Sequence, residues 1–141
     1  MLLLVGHGVR EEAPDLGLRI GEAERGVLEV ETPALSHSGV TDPALESVRA
    51  QAKSLGSNPL FLQTSPEFAM KRLLATGSGD IYQICRVFRD DELGRWHQPE
   101  FTLLEFYAAY SDMHDMMLAV EGLFKTLLLR PLTLALLRRL L

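Results

Sequence analysis

Between Phe61 and Tyr107 the chain puts polar side chains where strands would ordinarily be apolar. Side chains alternate across a strand, so in the run Ile81 to Arg89 the residues Gln83, Cys85, Val87 and Arg89 share one face. In the run Phe101 to Tyr107, the residues Phe101, Leu103, Glu105 and Tyr107 do the same. If the two runs pair as a hairpin, a cation, a carboxylate, a phenol and an aromatic ring meet on one surface. Burying that set is costly unless partners satisfy it. Two readings fit: an internal Arg89–Glu105 ion pair, or a ligand pocket.

The loop between the runs, Asp90 to Glu100, exceeds the roughly two to five residues usual for a hairpin. It carries Arg95, Trp96, His97 and Gln98 together. Polyphosphate chemistry needs such groups: a fixed guanidinium beside an α-phosphate, and cations to hold the leaving pyrophosphate. Arg89 and the stretch from Arg95 to His97 could supply both. The loop reads equally as a solvated turn.

These residues need elements to hold them. Leu60 to Gln63 reads as a short strand. Ser65 and Pro66 then start a helix, the serine as a backbone acceptor and the proline at the first helical position. That helix is expected to reach about Thr76, where Gly77 and Gly79 break it. Ile81 to Phe88 alternates and is rich in β-formers, so it is expected to be a strand, as is Phe101 to Tyr107. A helix from about Asp112 to Leu129 carries Met113, Met116, Met117, Val120, Phe124, Leu127 and Leu128 on one side, an arrangement that predicts core packing. Upstream, a helix around Leu16 to Arg25 ends at Gly26 and leads into a strand, Val27 to Val30. Ser36 to Asn58 reads as loops with at most one short helix.

The 141 residues allow one domain with a single sizeable core. Hydrophobic residues make up 47% and charged residues 23%, the balance of a soluble globular chain. A net charge of -5 disfavours broad gripping of nucleic-acid phosphates. Cys85 is the only cysteine, which excludes an intrachain disulfide and a cysteine zinc site and fits a cytoplasmic protein. His7, His37 and His114 lack metal-ligand spacing. The leucine-rich run from Leu127 to Leu141 is interrupted by Arg130, Pro131, Arg138 and Arg139. It therefore falls short of the roughly 20 apolar residues of a membrane span, and no membrane partner is expected.

The segments TSPEFAMKRLLATGSG, IYQICRVFRD and RWHQPEFTLLEFY resemble the catalytic core of class II lysyl-tRNA synthetases. They resemble most closely the stand-alone paralogues of those enzymes, the elongation factor P lysine ligases. RGVLEVETPALS, Arg25 to Ser36, resembles motif 1 of the class, and FRDDELGRWHQPEF, Phe88 to Phe101, resembles motif 2. The resemblance covers roughly Arg25 to Leu128. It implies an α/β fold of the α+β type, a class II aminoacyl-tRNA synthetase-like antiparallel sheet with flanking helices, present as its N-terminal half.

It also implies roles. Arg89 contacts the α-phosphate of ATP, with Asp90 beside it, Asp91 the adenine amino group and His97 the outer phosphates. Gln98 lines the nucleotide site and Phe101 stacks on adenine. The α-amino group of lysine lies near Ser65, Pro66 and Glu67 and its side-chain amine near Tyr107, with Glu105 shaping the pocket. Lysine carboxylate attacks the α-phosphate, and the lysyl group of the adenylate passes to a lysine side chain of elongation factor P. Motif 1 implies a homodimer. Magnesium is implied as well, although neither its acidic ligands nor a glycine-rich motif 3 is found in these residues.

The sequence departs from the family pattern at Asp91, where glutamate is common, and at Gln98, where asparagine is frequent. Tyr107 is followed by Ala108 where the ligases usually have arginine, and EFYAAYSD is closer to the tRNA synthetase version. A lysyl-tRNA synthetase fragment and a non-catalytic dimerising paralogue are therefore the alternatives. The acidic charge makes tRNA the less favoured acceptor.

Overall fold

A computed structural model describes residues 26–90 and 93–140, with side chains described as far as Leu129. The expected helix at Leu16 to Arg25 and the site residue Asp91 lie outside the described residues. The order is β1 (Leu28–Glu29), β2 (Leu35–Ser36), β3 (Arg49–Ala50), a 3-10 turn (Lys53–Leu55), β4 (Leu60–Leu62), α1 (Glu67–Ala75), β5 (Ile81–Phe88), β6 (Glu100–Tyr107) and α2 (Met113–Leu140).

Two three-stranded sheets form, β1-β5-β6 and β2-β4-β3, where a single sheet was expected. In the first, β5 and β6 make the antiparallel hairpin read from the sequence, whereas β1 joins β5 in parallel. The second is antiparallel throughout: β4 is the expected short strand, β3 lies within the stretch expected to be loops, and β2 lies at its start. Its outer strands are two residues each and exist because β4 offers both edges.

The hairpin register pairs Gln83 with Glu105, Cys85 with Leu103 and Val87 with Phe101. One hairpin face is therefore the surface anticipated above. The other face carries Tyr82 and Leu104, which pack with Leu123 of α2, flanked by Val27, Ile84, Phe106 and Leu127. Helix α2 thus docks on the side away from the polar residues. Met113 and Met117, expected in the core, are 68% and 61% exposed, and Phe124 and Leu128 are exposed too. The docked stripe of α2 is the adjacent one centred on Leu123.

Helix α1 begins one residue later than expected, with Pro66 at its N-cap and the Ser65 hydroxyl accepting the Glu67 N–H at 3.4 Å. At its end Gly77 takes φ 87° and Gly79 φ 74°, left-handed values that glycine adopts without a Cβ penalty. The Gly77 N–H reaches Leu74 O and the Ser78 N–H reaches Leu73 O, so the last carbonyls of the helix are satisfied. The chain is then free to enter β5.

Candidate active site on the β5–β6 hairpin

Two local devices position the site. Beyond β4, Gln63 clamps the outer edge of β5: its carbonyl accepts the Phe88 N–H at 2.9 Å, and its Nε2 donates to Arg86 O at 2.9 Å. The clamp lays the Thr64–Glu67 segment beside the end of β5. Arg89 Nε accordingly donates to Thr64 O at 3.3 Å, and the Arg89 N–H donates to Pro99 O at 2.8 Å. The Arg89 guanidinium lies over the Phe101 ring, 5.0 Å from its centroid, a cation–π geometry. Phe101 is 4% exposed and packs with Val87 and Leu103.

The second device is at the other end of the hairpin. Tyr107 donates to Glu105 Oε1 at 2.6 Å, the short contact expected of a hydroxyl on a carboxylate. Glu105 has no exposure, and its Oε2 has no hydrogen-bond partner. Burial raises the Glu105 carboxyl above its ordinary value; the Tyr107 bond opposes this, and the charge of Glu67 adds to it. Burial, and then Glu105, raise the Tyr107 phenol, so it stays a donor at neutral pH.

The expected Arg89–Glu105 ion pair does not form. Arg89 stands opposite Pro99, and from Pro99 to Glu105 is roughly 20 Å along β6, far beyond an arginine's reach. The cation and the carboxylate mark opposite ends of one face.

The structure therefore gathers Arg89 with Phe101 and the Thr64–Ser65 segment, and sets Glu105, Tyr107 and Glu67 within one electrostatic neighbourhood. Ser65 is half-buried beside the fully buried Pro66. His97 and Gln98 are exposed on the loop, where Gly94 and His97 exchange backbone hydrogen bonds at 3.1 and 3.4 Å. Asp90 is exposed and its N–H donates to Glu46 O at 2.9 Å.

Sequence reasoning missed Gln63, Thr64 and Lys71. Only Lys71 carried a readable signal, standing one helical turn after Glu67. It also missed two ties from the motif 1 stretch to β5: the Tyr82 hydroxyl donates to Glu29 Oε2 at 3.1 Å, and Thr32 Oγ1 donates to Gln83 Oε1 at 2.9 Å. A cleft of about 670 Å³ opens along this edge, lined in part by Thr32, Gln63, Gln83 and Cys85, but not by Arg89, Glu105 or Tyr107. Among the described residues no three His, Cys, Asp or Glu side chains gather.

The antiparallel β5–β6 hairpin with helix α2 on one face is the part of the expected synthetase-like fold that forms as read, and the parallel strand β1 is an addition to it. The family model for class II tRNA synthetases (D, K and N) matches residues 19–133, and the chain belongs to that family. Among curated proteins it is 52% identical over 108 residues to the elongation factor P--(R)-beta-lysine ligase of Vibrio atlanticus, an alignment covering 74% of this chain and 33% of that protein. The protein of the same name from Sodalis glossinidius is 49% identical over 109 residues, covering 75% and 34%. That from Mannheimia succiniciproducens is 52% identical over 108 residues, covering 74% and 33%. The chain thus spans about a third of the length of these relatives.

Proposed function

We propose that this chain forms the amino-acid-activating face of an ATP-dependent ligase that attaches lysine, or the β-lysine named for its relatives, to elongation factor P. The observation that carries this reading is the buried, half-satisfied Glu105 carboxylate beside Tyr107, on the same hairpin face as Arg89. A buried carboxylate with a free lone pair calls for a cation, and a substrate ammonium supplies one. From Phe101 to Glu105 is about 13 Å along β6. The guanidinium reaching in from Arg89 narrows that gap to the scale of a lysine molecule.

The chemistry follows from this layout. The ammonium end of the substrate is held at Glu105 and Tyr107, with Ser65, Pro66 and Glu67 alongside. Its carboxylate points toward Arg89, where an ATP α-phosphate is bound and the ring of Phe101 receives adenine. A carboxylate oxygen bonds to the α-phosphorus, and the bond from that phosphorus to the bridging oxygen breaks. Pyrophosphate departs with the electron pair. Arg89 stabilises the charge that develops, an effect worth on the order of 3 to 4 kcal/mol for a preorganised donor. Asp90, Asp91, His97 and Gln98 complete the nucleotide site in this reading. The amine of an elongation factor P lysine then attacks the acyl carbon and releases AMP. The reading is of a cytoplasmic ligase. Among the described residues no helix is long and apolar enough to cross a membrane.

The test is lysine-dependent exchange of labelled pyrophosphate into ATP, with Arg89→Ala as control. Exchange abolished in the control supports the reading. Folded chain that binds neither lysine nor ATP sinks it. Lysylation of purified elongation factor P against lysine tRNA identifies the acceptor.

A homodimer through the motif 1 stretch belongs to the same proposal. Leu28 and Leu35 there are 55% and 44% exposed, which supports a partner surface. Sedimentation of a Leu28→Asp, Leu35→Asp variant as a monomer, against a dimeric parent, is the expected result.

A further inference from the structure

Gln63 belongs to both sheets. Its backbone N–H donates to Ala34 O at 2.9 Å, which carries the pairing of β2 with β4 one residue further. Its carbonyl accepts the Phe88 N–H and its side-chain Nε2 donates to Arg86 O, each at 2.9 Å, so the same residue grips the outer edge of β5 at two points. The next residue, Thr64, is buried, and its carbonyl accepts Arg89 Nε at 3.3 Å. Ser65, Pro66 and Glu67 follow at once.

Of the three bonds that Gln63 makes, one depends on residue type. Any residue offers the carbonyl for Phe88, and any but proline the N–H for Ala34, but reaching Arg86 O takes a side-chain donor. With that bond in place, residue 63 is held to β5 at two points and cannot pivot about the Phe88 bond. Without it, the segment from Thr64 to Glu67 is free to shift against the end of β5, and Arg89 loses a fixed acceptor for its Nε. Both effects fall at one end of the hairpin face. Glu105 and Tyr107, at the other end, keep their own hydrogen bond.

We propose that Gln63 is a positioning residue: its side-chain amide fixes Arg89 and the Ser65–Glu67 segment relative to each other, and so sets the geometry that receives the carboxylate and α-amine of an amino-acid substrate. The inference rests on the amine-pocket reading above, in which Glu105 and Tyr107 hold the side-chain amine. Linkage makes the effect reciprocal. A ligand that engages Arg89 and the Ser65–Glu67 segment together tightens the clamp, whereas one that engages only Glu105 and Tyr107 leaves it unchanged.

Gln63→Met keeps the length and neutrality of the side chain and removes its donor. The full chain is titrated with lysine and with n-pentylamine, which carries the same net charge but neither the carboxylate nor the α-amine, and binding is read by NMR. In Gln63→Met, lysine affinity is expected to fall by about three- to tenfold, the scale of one hydrogen bond, while pentylamine binding stays at the parent value. No fall for lysine, or an equal fall for both ligands as general loosening would give, overturns the role of Gln63 and leaves the amine pocket standing. Binding of neither ligand by the folded parent overturns the amine pocket and this inference with it. Gln63 is half-buried and lines the edge cleft, so the variant is expected to fold. The parent also carries a test of its own: hydrogen exchange at the Phe88 amide is expected to slow with saturating lysine and not with saturating pentylamine. Equal exchange in the two overturns the proposal.

Discussion

Tyr107 and Glu105 lie two residues apart on one face of β6, and the phenol donates to a carboxylate that has no exposure at all. The bond satisfies one carboxylate oxygen and leaves the other bare. The bare oxygen is therefore held at a cost to stability, and that cost is measurable.

Glu105→Gln is expected to stabilise the ligand-free protein at neutral pH by about 1 to 3 kcal/mol, the scale of an unsatisfied buried group. Glutamine keeps an oxygen to accept the Tyr107 hydrogen and carries no charge. The pH dependence has a definite sign. Burial raises the folded-state value above the ordinary 4.5, with Tyr107 opposing and Glu67 reinforcing. As pH climbs from 4.5 toward the raised value, the unfolded chain has lost a proton that the folded chain keeps, so stability falls. Urea unfolding of both proteins between pH 5 and pH 8 should show the variant's advantage growing with pH. An advantage that shrinks would contradict the assignment.

Tyr107→Phe should act in the opposite direction. It removes the donor, leaves both oxygens of Glu105 bare, and is expected to cost about 1 to 3 kcal/mol. The contrast in sign between the two variants, read in the same unfolding experiment, separates this hydrogen bond from general disturbance of β6.

Cys85 reports on the same charge from across the hairpin. Burial, and then the Glu105 carboxylate, push its thiol up to about 11, against weaker opposing hydrogen bonds from Gln83 and Gln63. Alkylation by iodoacetamide at pH 8 is expected to run about a hundredfold slower than for a free thiol, because the thiolate is the reactive form. Glu105→Gln should quicken it. Equal rates in the two proteins would mean that Glu105 exerts no field at this strand position.

What could be read from the sequence was what local pattern controls. Alternation over Ile81 to Phe88 gave the strand to the residue, and period two gave the shared face of Gln83, Glu105 and Tyr107. Register was not so readable. Arg89 and Glu105 fell on one face yet at opposite ends of it, because pairing begins at Phe88 with Glu100. β2 and β3 escaped notice because two-residue strands such as Leu35–Ser36 carry no alternation of their own and depend on β4. The apolar pattern of α2 contains two neighbouring stripes, and periodicity cannot say which one docks.

That last ambiguity yields a final test. Leu123 is 4% exposed and lies against Tyr82 and Leu104, whereas Met117 is 61% exposed on the neighbouring stripe. Leu123→Ala removes a buried side chain from the back of the hairpin that carries the site, with an expected cost of about 2 to 5 kcal/mol. Met117→Ala removes as much apolar volume from an exposed position and should stay within about 0.5 kcal/mol. Thermal unfolding distinguishes them. Because α2 packs on the face opposite Glu105 and Arg89, Leu123→Ala that remains folded should keep the slow alkylation of Cys85. Loss of that protection at temperatures below unfolding would mean that α2 also sets the geometry of the site face.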